Sequence, residues 1–459
     1  MTVGLAYKKK VNSIWRKWLK VEHSGLNIGR LMANEIFYVC HYDSKLRKRS
    51  KDKTYTLILR LLKAVIFTKI ETPFDFNSTF KDIFFLHQED NRKDYQEQCN
   101  YVLKQLKNYP FTEIFVNKDK VLKEKIKPVQ SFKKVGLLTK LMFYTFSSSS
   151  NYDSHGAYHN LKFYRNSLLY YDYYLYLFKV LKEAKIKILI TFCDAKEYAN
   201  LFTQAAINLK AVTVTQQHAL YIGMNDSSYS QPVLNYRNLI SDYFMAWGKS
   251  INEQWNGVGF DFTKIVYSGT NLPKGIDIQE KKGFYMPKKN VFGVILSAEY
   301  WRKSNIEMLE IAHKFSQENS YEFQVLFHPS NKIFEYIDII NYINENQCFQ
   351  NLKNLDDFIM EKRFILCHTT SLYLRSLINK RKCFRFKDDN FIDVGGMPDD
   401  IFESKADFEM KFKNGLEYSN IELNEISSII ASHYGEENMN YINALETILK
   451  KERISINRS

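Results

Sequence analysis

Short apolar runs alternate with segments of helical period along most of the chain. In the second half, the apolar runs cover residues 291–297, 323–327 and 364–367, and the helical segments cover 305–317 and 372–379. A short apolar run bounded by polar turn residues is typical of a buried strand, whereas a longer amphipathic segment is typical of a helix. The alternation predicts βαβ units built around a parallel sheet.

The first half of the chain has the same alternation. Strands are predicted over residues 82–87, 186–193, 211–215, 242–248 and 265–270. One helix is predicted to end near Lys107, and two more are predicted over 164–181 and 197–209. After a predicted turn at 394–398, residues 402–451 have helical character with a break near Gly435.

These elements predict an α/β protein with two Rossmann-like domains. The length of 459 residues suits two to three domains. The predicted division is a basic helical N-terminal segment at 1–80, a first Rossmann-like domain at 81–270, a linker rich in Pro, Gly and Lys at 271–289, a second Rossmann-like domain at 290–430, and a C-terminal helix with a basic tail at 431–459.

The composition is that of an ordinary globular protein, with 45% hydrophobic and 25% charged residues. The six cysteines form no CxxC pair, which predicts reduced core residues in a cytoplasmic protein. The sequence has neither a secretory signal pattern nor an apolar run of about 20 residues that would span a bilayer.

The positive charge is concentrated at one end. Residues 1–70 hold 16 Lys and Arg against 4 Asp and Glu, a net charge of +12 out of +14 for the whole chain. Within 11–20 a helix would place Ile14, Trp15, Trp18 and Leu19 on one face, and 57–67 is a second basic, apolar segment. We expect either contact with an anionic inner-membrane surface through residues 1–70 or ordinary packing of both helices on the first domain. A charge confined to one end without a nucleic-acid-binding motif argues against a nucleic-acid partner.

Polar side chains follow three predicted strands of the second half. Ligands of such sheets bind beyond the carboxyl ends of the strands, so these side chains are candidates for a binding site. They are Ser297, Glu299, His328, Pro329, Ser330, Thr369, Thr370 and Ser371.

The residue types at these strand ends suit an anionic ligand. His328 would donate to a phosphate oxygen, and Pro329 would fix the turn that follows. Backbone N–H groups at the start of the helix that follows Ser371 favour an anion. Three alternatives stay open: Thr370 or Ser371 is only a helix cap, Glu299 binds a ribose hydroxyl or faces solvent, and His368 is a structural core residue.

Two polar residues of the first half also follow strands. Asp194 and His218 are candidate general bases, with Glu89 and Asp90 as second choices. The sequence has no Asp-x-Asp motif, so we expect no obligatory metal cofactor.

Three stretches together resemble a known family. They are Gln216-Gln217-His218, the run 264–269, and His328-Pro329 followed by Thr370-Ser371. In this order they resemble bacterial surface-polysaccharide glycosyltransferases of the GT-B type, which have two Rossmann-like domains facing a cleft. The HP motif and the Ser/Thr pair are similar to those of sialyl- and Kdo-transferases that use CMP-sugars, and of CDP-glycerol-dependent transferases of teichoic acid. The chain has Ala219 where this family often has Gly, and it lacks the acidic pair followed by Gly of the sialyltransferases.

The resemblance implies an enzyme that moves a sugar from a CMP-, CDP- or UDP-linked donor to a glycan or lipid-linked acceptor. It implies that the second domain holds the nucleotide sugar, that the first holds the acceptor, and that the enzyme works at the inner face of the cell membrane. Two alternatives within this fold are a polyol-phosphate transferase and a sugar-nucleotide 2-epimerase. An alternative of another class is a non-catalytic basic protein that docks on membranes.

Overall fold

A computed structural model describes most of the chain. The described residues are 18–33, 69–76, 80–87, 93–116, 122–125, 128–147, 156–218, 238–254, 261–270, 287–337, 340, 342–352 and 355–456. The predicted segment 57–67 and most of the predicted linker lie outside these ranges.

The first half forms one α/β unit. Its strands are β1 (Glu22–His23), β2 (Leu26–Asn27), β3 (Lys69–Thr72), β4 (Phe74–Phe76), β5 (Ile83–Leu86), β6 (Phe111–Val116), β7 (Leu122–Lys125), β8 (Ile188–Thr191), β9 (Val212–Gln216), β10 (Tyr243–Ala246) and β11 (Ile265–Tyr267). Its helices are α1 (Ile28–Leu31), α2 (Lys93–Leu106), α3 (Pro128–Ser147), α4 (Gly156–Glu183), α5 (Glu197–Asn208) and α6 (Ser250–Gln254).

Seven of these strands form one sheet in the order β11-β10-β9-β8-β5-β6-β4. All neighbours in it are parallel except β4, which pairs antiparallel with β6 at the edge. Both faces of the sheet are covered, because Leu189 packs into one apolar cluster with α4 and α5 while Ile188 and Ile190 pack into another with α2. A strand covered on both faces has no side chain that faces solvent, which explains the apolar run of β8.

The second half forms a second α/β unit. Its strands are β12 (Val291–Ile295), β13 (Glu322–Leu326), β14 (Cys348–Phe349), β15 (Ile365–Cys367), β16 (Cys383–Phe386) and β17 (Ile401–Phe402). The helices that follow in the chain are α7 (Arg302–Asn319), α8 (Ile333–Ile337), α9 (Leu355–Glu361), α10 (Leu372–Ile378), α11 (Lys405–Lys413), α12 (Asn420–Tyr434) and α13 (Tyr441–Lys451).

The second sheet is parallel throughout, in the order β14-β13-β12-β15-β16-β17. Here too alternate residues of a strand pack to opposite sides: Val294 lies in the cluster with α7 and α11, and Ile295 in the cluster with α9, α10 and α12. The two Rossmann-like α/β units predicted from the sequence are confirmed.

The C-terminal helices join the two units. Helix α12 packs in the second unit, whereas α13 packs against β5, β8 and α2 of the first. Gly435 lies between them with φ +90°, and a Cβ at this position would stand 2.6 Å from the carbonyl oxygen of Trp247. Only glycine fits this left-handed, closely packed position. The predicted helical break near Gly435 is confirmed, and the predicted boundary at residue 431 falls inside α12.

The structure differs from the sequence-based predictions at several places in the first unit, which also contains the unpredicted strands β6 and β7. The described part of the predicted helical segment 1–80 includes strands, and one of them, β4, extends the first sheet because Phe74 is buried against α4 and α5. Helix α3 was not predicted at all. Within the described residues, no helix combines the length and the apolar content needed to cross a bilayer.

His433 on α12 bonds to both units. Its Nδ1 lies 2.9 Å from the Ser250 hydroxyl of the first unit, and its Nε2 lies 3.1 Å from the carbonyl oxygen of Gly395 in the second. The carbonyl only accepts, so the neutral ring carries its proton on Nε2 and accepts from Ser250 through Nδ1. Burial lowers the pKa of His433 to about 4, despite the Gly395 carbonyl and the charge of Asp393, which raise it.

We predict that replacing His433 with glutamine makes the free energy of unfolding less dependent on pH between pH 7 and pH 4. The folded pKa of about 4 lies below the ordinary value of about 6.5, so the unfolded chain takes up the proton first as the pH falls. The stability contributed by the neutral ring is therefore complete above about pH 6.5 and is lost as the pH falls towards about 4, at a cost of about 3 kcal/mol. Urea unfolding of wild type and His433→Gln between pH 7 and pH 4 measures this difference, and parallel profiles would contradict the prediction.

Candidate functional site

Three loops meet at the carboxyl edge of the second sheet, because β13, β12 and β15 are neighbours. Ser297, just beyond β12, ties them together. Its hydroxyl donates to the carbonyl oxygen of Thr369 beyond β15 at 2.8 Å, and its own carbonyl oxygen accepts from the Asn331 side chain beyond β13 at 3.0 Å. Ser297 is 2% exposed, so it positions these loops.

Asn305 on α7 completes this junction. Its side chain accepts from the Ser297 backbone N–H and donates to the Ser297 carbonyl oxygen, both at 2.9 Å. Backbone groups at the end of a central strand have no strand partner, and a buried amide side chain replaces that partner here. The three loops are therefore held in one arrangement by buried hydrogen bonds.

His328 stands on a tight turn after β13. The Asn331 backbone N–H donates to the His328 carbonyl oxygen at 2.9 Å, which places Pro329 at the turn position that suits its fixed φ. The Ser330 backbone N–H donates to His328 Nδ1 at 3.1 Å, and the Ser330 hydroxyl lies 2.8 Å from the same nitrogen. Since Nδ1 accepts, the neutral imidazole has its proton on Nε2. The side chain is exposed and presents a hydrogen-bond donor.

Glu299 lies in a local ion-pair network. Its carboxylate accepts from Arg302 at 2.8 Å, and Arg302 also contacts Glu335 on α8 at 2.5 Å. The Glu299 backbone N–H donates to the Ser330 hydroxyl at 3.1 Å. Glu299 is half-buried, and its contacts join the loop after β12 to the turn after β13.

The three hydroxyl residues after β15 have different surroundings. Thr369 is buried, and its Oγ1 accepts from the Ile392 backbone N–H at 3.0 Å. Thr370 is half-buried, and its Oγ1 accepts from the Leu372 backbone N–H at 3.3 Å. Ser371 is exposed and occupies the N-cap position of α10 without a capping bond from its side chain. Ser371 is therefore the hydroxyl best placed to meet a ligand.

His368 is a buried member of this edge. Its Nε2 lies 3.0 Å from Asp388 beyond β16, and the other oxygen of Asp388 accepts from the Ser304 hydroxyl at 2.6 Å. Burial lowers the pKa of His368 although Asp388 raises it. Partial burial raises the pKa of Asp388, but hydrogen bonds from Ser304 and His368 hold it below its ordinary value.

Three buried polar atoms at this edge have no hydrogen-bond partner among the described residues. They are Oδ1 of Asn331, Oε2 of Glu299 and Nδ1 of His368. If His368 donates to Asp388 through Nε2, all three atoms are acceptors. Buried polar groups of this kind are satisfied in other proteins by water or by a ligand.

Asp194 lies at the carboxyl edge of the first sheet but is enclosed. Its Oδ2 accepts from the backbone N–H groups of Ile240 at 2.9 Å and Ser241 at 2.7 Å, just before β10. The side chain is 0% exposed, and burial raises its pKa although hydrogen bonds from Ser241 and Ile240 lower it. In this structure Asp194 holds the segment that leads into β10.

His218, beyond the neighbouring strand β9, is half-buried. Its ring packs against Tyr95 at 5.8 Å and Phe192 at 5.6 Å between centroids, and its carbonyl oxygen accepts from Gln98 at 3.3 Å. Glu89 and Asp90 lie outside the described residues. Of the two predicted bases that the structure describes, His218 is the one whose side chain is partly exposed.

The carboxyl edge of the first sheet lies against the second unit. Trp247 follows β10 at this edge, and its ring packs 6.1 Å from that of Tyr434 on α12 between centroids. It belongs to the same buried cluster as Ile295 and Leu326 of the second sheet. Glu97 on α2 raises the pKa of Arg375 on α10, one turn beyond Ser371.

Sequence analysis missed the residues that connect the loops. Asn331 directly follows the His328-Pro329-Ser330 run, and Asp388 lies two residues beyond β16. The rule that identified the other strand-end residues would have included both. Asn305 lies inside a helix, where nothing in the sequence separates it from a surface residue.

We predict that Ser297→Ala destabilises the protein and Ser371→Ala does not. The first change removes a buried donor to the Thr369 carbonyl oxygen and should lower the free energy of unfolding by about 1–2 kcal/mol. The second removes an exposed hydroxyl and should change it by less than about 0.5 kcal/mol. Urea denaturation of both variants tests the pair, and equal effects would refute the assignment of Ser297 as the buried connector.

No protein-family model matches the sequence, and no curated protein matches it. Among solved structures, a glycosyltransferase from Rickettsia africae is similar in fold, with 13% identity, a TM-score of 0.48, and coverage of 81% of this chain and 99% of that chain. S. aureus MnaA, in a co-structure with UDP, has 11% identity, a TM-score of 0.47, and coverage of 82% and 98%. The apo form of the lipopolysaccharide outer core galactosyltransferase WaaB has 13% identity, a TM-score of 0.44, and coverage of 80% and 99%. At these identities and TM-scores the likeness concerns the fold alone.

Proposed function

We propose that the protein is a glycosyltransferase that uses a nucleotide-sugar donor linked to CMP, CDP or UDP. The second unit holds the donor at the carboxyl edge of its sheet, with the anionic group between His328 and Ser371. The acceptor is a growing bacterial surface polysaccharide or a lipid-linked glycan. No obligatory metal takes part in this proposal.

One observation carries the proposal: two exposed hydrogen-bond donors flank the central strand β12 at one edge. His328 follows β13, and Ser371 follows β15. Strands two places apart are separated by about 9–10 Å, a gap that a phosphate group with its oxygens fills from both sides. Donors aimed at a phosphate stabilise the charge that develops on a leaving nucleotide. The buried acceptors Asn331 and His368 just behind them suit hydroxyl groups of ribose or sugar, reached directly or through water.

The first unit supplies the general base in this proposal. Inverting transfer requires a group that takes the proton of the acceptor hydroxyl. His218 suits this role because its half-buried imidazole lies beyond β9 at the carboxyl edge of the first sheet. Asp194 acts in the same site by fixing the segment before β10, since its carboxylate bonds to two backbone N–H groups there.

Residues 1–70 supply a basic platform for an anionic membrane surface, where a lipid-linked acceptor would be found. Their net charge of +12 supports this part of the proposal. Trp18 and Leu19, two members of the predicted lipid-facing stripe, pack instead against the core of the first unit. Ile14 and Trp15, the other members of this stripe, lie outside the described residues.

We predict that a cytidine or uridine nucleotide raises the melting temperature of the protein and that His328→Ala weakens this effect. Loss of a hydrogen bond to a charged group is worth about 1.5–3 kcal/mol, so the affinity should fall about tenfold to a hundredfold. Thermal shift with a concentration series of CMP, CDP, UDP and GDP measures the rise in melting temperature and the apparent affinity, in wild type and in His328→Ala. Without nucleotide the variant should melt close to wild type, because the imidazole is exposed.

Two outcomes would count against the proposed site. A shift with GDP alone, or with none of the four nucleotides, would remove the proposed donor. An equal shift in wild type and His328→Ala would place the nucleotide elsewhere. His328→Gln serves as the matched control, because its amide keeps a donor on a side chain of similar reach.

Product analysis separates the proposed reaction from its alternatives. Sugar transfer breaks the bond between sugar and phosphate and frees one nucleotide for each glycosidic bond that forms. Transfer of a polyol phosphate from a CDP-linked donor would free CMP and leave a phosphodiester in the product, whereas sugar transfer leaves no phosphate there. An epimerase would change the sugar without an acceptor. A non-catalytic docking protein would neither bind nor turn over a nucleotide sugar.

A further inference from the structure

Helix α3 exposes apolar side chains to solvent and buries a lysine. Between Lys133 and Phe143, the part whose side chains the structure describes, Leu137 and Leu141 are fully buried against the core of the first unit. On the outward side, Val135 is 49% exposed, Met142 41% and Phe143 68%. With 100° per residue these three positions fall on one stripe of the helix.

Three of the ten large hydrophobic side chains that are exposed in the described part of the chain lie on this one helix. Exposed apolar residues that occur singly need no explanation, whereas a contiguous group marks a surface that meets a partner. The exposed group on α3 is of the second kind.

The charges around the stripe are positive. Helix α3 contains no Asp or Glu, and its lysines are Lys133, Lys134 and Lys140. Lys134 is 1% exposed and is neutralised by Asp172 of α4 at 2.5 Å. Lys133 and Lys140 are exposed beside the stripe.

Neighbouring residues extend this positive surface. Lys20 is exposed, and the Lys140 ammonium donates to the Glu22 carbonyl oxygen at 3.1 Å, so the start of the described chain lies beside α3. Burial lowers the pKa of His23, and the positive charges of Lys140 and Lys133 lower it further. Glu22 is exposed beside these lysines, and its single negative charge is outnumbered by the positive charges of Lys20, Lys133 and Lys140.

We propose that the outward face of α3, formed by Val135, Met142 and Phe143 with Lys133 and Lys140, docks on an anionic lipid surface. Apolar side chains enter the boundary between headgroups and acyl chains, while lysines beside them contact lipid phosphates. The lysines favour an anionic leaflet over a neutral one, and the apolar side chains between them suit a surface that offers acyl chains as well as phosphates. This docking surface is separate from the strand-end site and does not depend on the proposed transfer reaction.

Sedimentation of the full chain with lipid vesicles tests the proposal. With vesicles of phosphatidylcholine and phosphatidylglycerol, we expect wild type to bind, and the double variant Met142→Ser/Phe143→Ser to bind at least tenfold more weakly. The variant Lys133→Gln/Lys140→Gln should lose a measurable part of its preference for these vesicles over pure phosphatidylcholine, while the basic residues of 1–70 retain the rest.

A matched control has the same residue types on the second unit. Phe334 is 63% exposed and Met410 57%, so Phe334→Ser/Met410→Ser removes equivalent apolar side chains far from α3 in the sequence. We expect it to bind vesicles like wild type. The proposal would be overturned if both double variants lost vesicle binding equally, or if the variant Met142→Ser/Phe143→Ser lost none.

Two further measurements separate lipid from other occupants of this face. Size-exclusion chromatography with light scattering would overturn the proposal if the α3 variant breaks a dimer while vesicle binding persists. Failure of wild type to bind any anionic vesicle would overturn it as well. Nucleotide thermal shift should be unchanged in the α3 variant, so a failure of docking is distinguishable from a failure of the donor site.

Discussion

The hydrogen bond from the Ser297 hydroxyl to the Thr369 carbonyl oxygen is the interaction on which the candidate site depends. A parallel sheet ends its strands at one edge, but it does not by itself fix the loops beyond them. The buried donors of Ser297, Asn305 and Asn331 satisfy the backbone groups that the strands leave open. Because a buried group left unsatisfied costs about 1–3 kcal/mol, the loops are held in one conformation, and the exposed side chains of the same loops keep fixed positions.

The junction divides the strand-end residues by burial. Ser297, Thr369 and Asp194 are at most 3% exposed and bond to backbone groups, so they build the scaffold. His328 and Ser371 are exposed on that scaffold. A binding group placed by buried neighbours loses little conformational freedom when a ligand arrives, which is the physical value of such a scaffold.

The fold could be predicted from the sequence because each central strand is buried on both faces, as Ile188 to Ile190 illustrate. The strand-end loops followed from the same pattern, since a polar residue that closes an apolar run must lie at the edge of the sheet. The burial of each side chain could not be predicted, because it depends on partners distant in sequence. Asp194 is enclosed by Ile240 and Ser241, 46 and 47 positions later in the chain, and nothing around Asp194 itself indicates them.

The burial pattern of helix α3 explains why this helix was not predicted from the sequence. Its inward position Lys134 is 1% exposed while its outward position Phe143 is 68% exposed, the reverse of an ordinary surface helix. A search for an apolar face therefore finds residues on both sides and no clear period. The ion pair with Asp172 makes the buried lysine tolerable, and it is a contact between helices that no local pattern encodes. Because apolar residues lie on both sides of α3, the helix could not be predicted from the sequence, and some of these residues are exposed on the surface. An exposed apolar stripe bordered by lysines is explained most simply by a lipid surface, which offers both acyl chains and phosphates.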